Sequence, residues 1–463
     1  MRSIEEIFGG GRTPSEIIFE LKQKELRLPS WSKVLQDYEP TLHTIVRDHS
    51  SRKDKVYNGQ VERASRIHLG LEKLITKRAT EFTFAIPVRR NYVNANNDDE
   101  TQAVIGAIEK IFKHARIDSE NIKRGTAYYA SCEVCTVWYT VESPNSLYGF
   151  ESGYKLKCQS YSPMDGVRIY PLFNEADDLI ALSMEYQRLV LNERVQFFET
   201  YTKDRHVRWV YKANSPSVDI DEKIALGKIP AVYTYRREPI FFGLSHLRQE
   251  IEYTLSRNSD VVAYNSAPIL KVSGAVGGAE QKGESRRIVR VENGGDVSYV
   301  SWAQSNEAVR YHVDTLLSMF FKLSQMPDIS FEKMSSLGQI GYDARKTLFT
   351  DAHLKIGEET GALGEFLDRE VNVVKAFLKL MKPEWADRLD NLEVESVITP
   401  YVQDDEAQTI NRLQSANGGK PLMSQLESIR MFGKTNDPAA TLEQINVETQ
   451  AAAQARDVMN GFA

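Results

Sequence analysis

Cys132 and Cys135 form the C-x-x-C pair of a 463-residue chain with three cysteines. A tetrahedral zinc site needs four ligands, and neither a second C-x-x-C nor a histidine pair lies near this one. A redox dithiol normally opens a helix beside a βαβ unit. Residues 132–142 (CEVCTVWYTVE) are instead β-branched and aromatic, which predicts a strand with the two cysteines on opposite faces. The pair reads as inert core thiols. Gly433-Lys434-Thr435 has the ending of a phosphate loop, but Ser428 stands where its first glycine belongs, inside a helical pattern with no strand before it. No HExxH or GxSxG occurs, so enzyme activity, a metal and a cofactor have no support in the motifs. Arg286, Arg287 and Arg290 form a basic cluster offset by Glu280, Glu284, Glu292 and Asp296. It reads either as a solvated strand edge or as a docking face.

Hydrophobic residues make up 41% of the chain and charged residues 26%, as in soluble proteins. There is no apolar run of membrane-spanning length, and the start, MRSIEEIFGGGRTPSE, has charges and glycines where a signal peptide needs an apolar core. Few cysteines fit a reducing compartment. The net charge of -6 comes without the concentrated basic face of a sequence-reading DNA-binding protein.

These residues need a scaffold, and the pattern of the chain outlines one. Residues 1 to about 30 are polar and glycine-punctuated and read as a mobile arm, with a short helix starting at Thr13-Pro14-Ser15-Glu16. Ile67–Glu81 has helical spacing, and FTFAIPV after it reads as extended. Asn91–Glu100 reads as a polar loop, Ala103–Phe112 as a helix, and Asp118–Lys123 as the start of another, with RGTAYY leading into the C-x-x-C strand. Further strands are predicted at Lys155–Ser160, Val167–Tyr170, Leu179–Leu191, Arg194–Thr202, His206–Tyr211 and in AVYTYRRE, as one antiparallel sheet. Helices followed by a meander give an α+β domain over about 30–240.

Pro239–Phe349 organises the rest. Ser245 is a credible N-cap for a helix to about Asn265 with a stripe of Leu247, Ile251, Leu255 and Val262. Arg248, Arg257, Asn258 and Asp260 keep the remainder polar, so the helix suits packing between identical neighbours better than burial in a monomer core. ILKVSG, RRIVRVE and VSYVSW read as three short strands with a flexible loop at 277–283, too few to be stable alone. A second, more apolar helix spans Asn306–Gln325. Ile329–Gly341 lacks a period, and Tyr342–Met381 is one long helical pattern with a bend marked by Gly357, Gly361 and Gly364. LEVESVITP predicts a strand, and helices follow, the last after Asn436-Asp437-Pro438.

In this order the parts resemble the portal proteins of tailed phages, over nearly the whole chain and most closely at 239–349 and 392–445. The resemblance implies an α+β portal-type fold: an N-terminal arm (1–30), an α/β wing (31–244), a first stem helix (245–267), a β-containing clip (268–303) completed by pairing between subunits, a second stem helix (304–325), a tunnel loop (326–341), a long bent helix with a closing wing strand (342–403) and a helical crown and tail (404–463). It implies a homo-oligomeric ring, typically a dodecamer, at one capsid vertex of the virion, assembled in the host cytoplasm and without membrane or cofactor. The implied partners are the terminase large subunit, the major capsid and scaffolding proteins, head-completion or connector proteins, and double-stranded DNA passing without sequence specificity. Arg257 and Lys333 are then expected to touch phosphate transiently, Asp260 and Glu332 to line the channel with acid, and Arg286, Arg287 and Arg290 to form a docking face on the clip. The alternative is a non-portal head–tail connector or self-assembling scaffold subunit.

Overall fold

The computed structural model describes residues 4–9, 11–23, 26–50, 52–57, 59–93, 98–212, 215–265, 269–273, 276–281, 287–291, 296–300, 306–329, 347, 349–401, 406–418, 421–435 and 438–460. The fold is α+β. The chain divides into two units, Met1–Asp328 with Asp351–Tyr401, and Ile329–Thr350 with Val402–Ala463.

The first unit opens with α1 (Ile4–Phe8) and α2 (Pro14–Leu21). Thr13 starts α2 with a capping box: its N–H donates to the Glu16 carboxylate at 2.8 Å, and its hydroxyl oxygen accepts the Glu16 N–H. Ile7, Ile18 and Leu21 are buried in one cluster with Ala181, Phe198, Val207 and Trp209. The segment read as a mobile arm is therefore docked, because three apolar residues in a polar stretch find a sheet face to cover.

Then come α3 (Trp31–Tyr38), α4 (Thr44–Arg47), β1 (Lys55–Tyr57), β2 (Gln60–Glu62), α5 (Leu71–Phe84), β3 (Arg89–Tyr92), α6 (Asp99–His114) and α7 (Ile117–Ser131). Helix α5 continues through Phe82–Phe84, which read as extended. The hydroxyls of Thr76, Thr80 and Thr83 donate to the carbonyls of Glu72, Thr76 and Ala79 one turn back, an alternative to leaving the helix. Helix α7 likewise runs through RGTAYY. Its Gly125 lets α5 come close: a Cβ there would lie 2.7 Å from Phe84 Cδ2.

The strands β4 (Glu133–Asn145), β5 (Ser152–Tyr161), β6 (Arg168–Phe173), β7 (Leu179–Val190), β8 (Glu193–Tyr201), β9 (Arg205–Lys212), β10 (Ser215–Lys223) and β11 (Ala231–Tyr235) make two antiparallel sheets where the sequence suggested one. Their orders are β11-β4-β5 and β10-β9-β8-β7-β6. Cys135, Val137, Ala231 and Tyr233 of the first pack against Ile169, Leu182 and Met184 of the second. Strand β10 escapes the alternation signal because its outward charges pair across the ladder, Arg205 with Asp221 and Arg208 with Asp219.

Next are α8 (Ser245–Asn265), β12 (Ile269–Ser273), β13 (Val276–Gln281), β14 (Arg287–Val291), β15 (Asp296–Val300) and α9 (Asn306–Ser324). Strand β12 pairs with β15, and β13 with β14, both antiparallel and both within the chain. Residues 277–281, read as a flexible loop, belong to β13, so there are four strands here rather than three. Helix α10 (Thr350–Met381) runs unbroken through Gly357, Gly361 and Gly364. After α11 (Ala386–Asn391), β16 (Val394–Val397) returns to β3, with Val394 opposite Tyr92 and Glu395 opposite Asn91. That pairing makes strand of the first two residues of the expected 91–100 loop.

The second unit contains α12 (Glu406–Asn417), α13 (Gln425–Phe432) and α14 (Pro438–Asn460). Ser424 and Glu427 form a capping box on α13, and Gly433 ends that helix at φ 69°. Gly433-Lys434-Thr435 is thus a helix exit, whereas a phosphate loop is a helix entry.

Candidate functional site: the polar row of helix α8

Every fourth residue of α8 from Arg248 onward is polar: Arg248, Glu252, Ser256 and Asp260. That spacing sets all four on one face of the helix. Arg248, Glu252 and Ser256 are fully buried. The buried side of this helix therefore includes its charged row, whereas the sequence pattern set Leu247, Ile251, Leu255 and Val262 as the packing stripe and left Arg248 and Asp260 to the polar remainder.

Burial is possible because each group is matched. Arg248 Nε donates to Glu72 Oε1 at 2.6 Å, Nη1 to Glu252 Oε2 at 3.1 Å and Nη2 to Asp37 Oδ1 at 2.8 Å. Burial opposes the Arg248 cation, but Glu72 and Glu252 more than offset it and lift its pKa above the ordinary value. Burial raises the pKa of Glu72, partly countered by Arg248. Glu252 Oε1 also accepts the Leu69 N–H at 2.7 Å and lies 2.7 Å from His43 Nδ1. His43 Nε2 lies 2.9 Å from the Asp37 carbonyl oxygen.

The extended segment before α5 runs along the same row. Ile67 N–H donates to Ser256 Oγ at 2.8 Å, and Ser65 N–H to Asp260 Oδ1 at 2.8 Å. Arg52 pairs with Asp260 Oδ2 and donates to the Ser256 carbonyl at 3.3 Å. Burial works against the Asp260 carboxylate, yet the Ser65 hydrogen bonds and Arg52 outweigh it and hold its pKa below the ordinary range. Asp260 is thus engaged inside its own subunit.

The other expected site residues are scattered. Arg257 follows Ser256 on α8 and is exposed. Arg287 and Arg290 lie on β14, opposite Gln281 and Gly278. Arg286, Glu332 and Lys333 lie outside the described residues. Cys132 ends α7 at φ 68° instead of lying on a strand, since the turn into β4 takes the left-handed conformation there. Cys135 is on β4, with Sγ 3.5 Å from Met184 Sδ. Burial pushes the Cys132 and Cys158 thiols up to about 12 and Cys135 well above its ordinary value. Among the described residues no group of three or more His, Cys, Asp or Glu could hold a metal ion.

A second buried ion pair, Arg124 with Glu370, fastens α10 to α7, and Trp138 Nε1 donates to the same carboxylate at 3.0 Å. Beyond it a cavity of about 530 Å³ is lined by Tyr128, Arg236, Arg237, Glu238, Glu359, Glu365 and Arg369, among others. Arg236 pairs with Glu359 at 3.0 Å, and the Tyr128 hydroxyl donates to Glu359 at 2.6 Å. Three arginines face three glutamates, so the lining favours neither an anionic nor a cationic ligand.

Sequence reasoning missed the buried row. Its visible signal was the i, i+4 repeat with an Arg–Glu pair at its start. The partners at Asp37, His43, Ser65, Ile67, Leu69 and Glu72 lie some 180 to 210 positions away and left no local trace.

No curated protein matches the sequence. Among solved structures the chain is similar to one described as "Neck of empty GTA particle computed with C6 symmetry", with a TM-score of 0.44 and 9% identity over 88% of this chain and 94% of that one. Residues 20–455 match the family described as "Phage portal protein, SPP1 Gp6-like". With all but its two ends inside that match, the chain belongs to the phage portal protein family.

Proposed function

We propose that this protein is the subunit of a homo-oligomeric ring, typically twelve copies, at one vertex of a tailed-phage capsid. The ring is the channel through which double-stranded DNA enters and leaves, without sequence preference. It assembles in the host cytoplasm with the major capsid and scaffolding proteins. The terminase large subunit docks on it during packaging and supplies the ATP hydrolysis; head-completion or connector proteins follow. The observation that carries this reading is the family match over residues 20–455.

On this reading α8 and α9 are the two stem helices, β12–β15 belong to the clip, 326–341 is the tunnel loop, 342–403 holds the long helix and the closing wing strand, and 404–463 is the crown. Residues 31–244 are the wing, and 1–30 is an arm docked on the wing sheet. Exposed apolar residues on both helices, Tyr253 and Val262 on α8 and Tyr311, Met319 and Leu323 on α9, support packing against neighbouring subunits. Arg257 and Lys333 contact passing phosphate, Glu332 supplies acidic lining, and Asp260 lines the channel with its charge already offset by Arg52. Arg286, Arg287 and Arg290 form the clip docking face.

Negative-stain images and light scattering of the purified chain test the ring: particles with a central hole are expected, and a stable monomer at high concentration overturns it. Neutralising Lys333 and Glu332 together is expected to impair packaging in assembled particles, and intact packaging removes that assignment. Neutral residues at 286, 287 and 290 are expected to weaken motor or connector docking while the ring still forms.

A further inference from the structure

Ser65, Ile67 and Leu69 are alternate residues of an extended segment, and Asp260, Ser256 and Glu252 are successive turns of α8. The three N–H groups meet the three side chains one to one, at 2.8, 2.8 and 2.7 Å. The match has a geometric cause. Two residues of extended chain rise about 6.6 Å, and four residues of helix rise about 6 Å. Over three contacts the mismatch stays small enough for side chains to absorb.

Only one alignment satisfies all three amides. Moving the strap one step toward the start of α8 would bring the Leu69 N–H to Arg248, which has donors and no acceptor. Moving it the other way would carry the Ser65 N–H past Asp260, the last member of the row. The strap is braced as well. Asp54 Oδ1 accepts the Ala64 N–H at 3.0 Å and an Arg66 Nη2 hydrogen bond at 2.8 Å, and Arg66 Nη2 also donates to the Arg52 carbonyl at 2.9 Å.

We infer that residues 64–69 are a register lock on α8, with Glu252, Ser256 and Asp260 as its positioning residues and Arg248 as its stop. The lock fixes the helix both along and about its axis. A push along α8 strains the three hydrogen bonds together with the Arg248 pairs, so they resist as a set. The lock stands on the subunit alone; its use, holding a stem helix in place while DNA slides past, rests on the portal reading.

Amide hydrogen exchange of the full-length protein tests it. In the unaltered chain Ser65, Ile67 and Leu69 are expected to open as one unit, with protection agreeing within about threefold. In Ser256→Ala all three are expected to exchange about tenfold faster, while amides of β7 and β8 stay unchanged. Acceleration at Ile67 alone would overturn the lock and leave three separate hydrogen bonds. If Ser256→Ala fails to fold, the unaltered chain decides: protection differing more than about tenfold among the three amides also overturns it. The exchange pattern reads the lock whether or not the ring forms, so its failure is distinct from failure of the portal reading.

Discussion

Arg124 of α7 and Glu370 of α10 meet at two points, Nη1 to Oε1 at 2.7 Å and Nη2 to Oε2 at 2.8 Å, with neither side chain more than 2% exposed. Removing one partner leaves the other charge buried alone. Arg124→Met is expected to cost about 3–5 kcal/mol, while replacing both residues with methionine recovers part of that loss, since Trp138 Nε1 then lacks its acceptor. Urea unfolding midpoints check both. A single-variant loss under about 1 kcal/mol would mean the pair behaves like a surface bridge.

Glu199 makes the five-stranded sheet acid-sensitive. Burial opposes its carboxylate, but His206 at 2.7 Å, Tyr186 at 2.5 Å and Tyr201 at 2.7 Å outweigh burial and depress the pKa below the ordinary 4.5. A depressed carboxylate stabilises the fold above its unfolded pKa, and that contribution is lost as pH falls through the folded value. Melting temperature is therefore expected to drop on acidification below about pH 4.5. Glu199→Gln should be less stable at neutral pH and show a shallower acid limb. An unchanged limb would assign the acid loss to other groups.

The three thiols should be silent in the native protein. With burial pushing Cys132 and Cys158 up to about 12 and Cys135 well above its ordinary value, little thiolate exists at pH 8. A colorimetric thiol count is expected near zero in buffer and near three in concentrated urea. Rapid reaction of Cys132 or Cys135 in buffer would contradict their buried placement.

The N-terminal helices should behave as part of the wing. Leu21→Ala removes a side chain buried against the sheet and is expected to cost about 2–5 kcal/mol. Lys22, 2.7 Å from Glu185, then loses the packing beside its ion pair. Limited proteolysis should spare residues 11–23 in the unaltered protein and cut them in Leu21→Ala. Equal cutting in both would show an undocked arm.

Much of the fold was legible because its signals are local. Ser245 and the apolar spacing after it mark α8, and alternation marks β7 through β9. What escaped depends on partners distant in the chain. The buried face of α8 is charged, and a stripe of leucines cannot report that Arg248 will meet Glu72 and Asp37. Helix α5 outran its reading because Phe82–Phe84 look strand-like, while their setting is helical. Strand β13 looks like a loop because Gly277 and Gly278 offer no side chain to alternate, yet its backbone still pairs with β14. Of the expected channel residues, Arg257 and Asp260 could be followed, and Asp260 proved to be half of an internal pair. The order of most helices and strands was readable at once, because order survives where individual contacts do not.

The ladder along α8 divides its demands unequally between the two segments it joins. From the strap it takes amide hydrogens, which every residue except proline supplies, and at Ser65 a side-chain hydrogen bond to Asp260 as well. From the helix it takes a carboxylate, a hydroxyl and a second carboxylate at fixed turns. The side chains at 67 and 69 are thus free to drift in so far as the ladder is concerned, with proline alone forbidden. The row at 252, 256 and 260 can change only to groups that still accept a hydrogen bond. Descendants of this chain should therefore carry the memory of the contact mainly on one side.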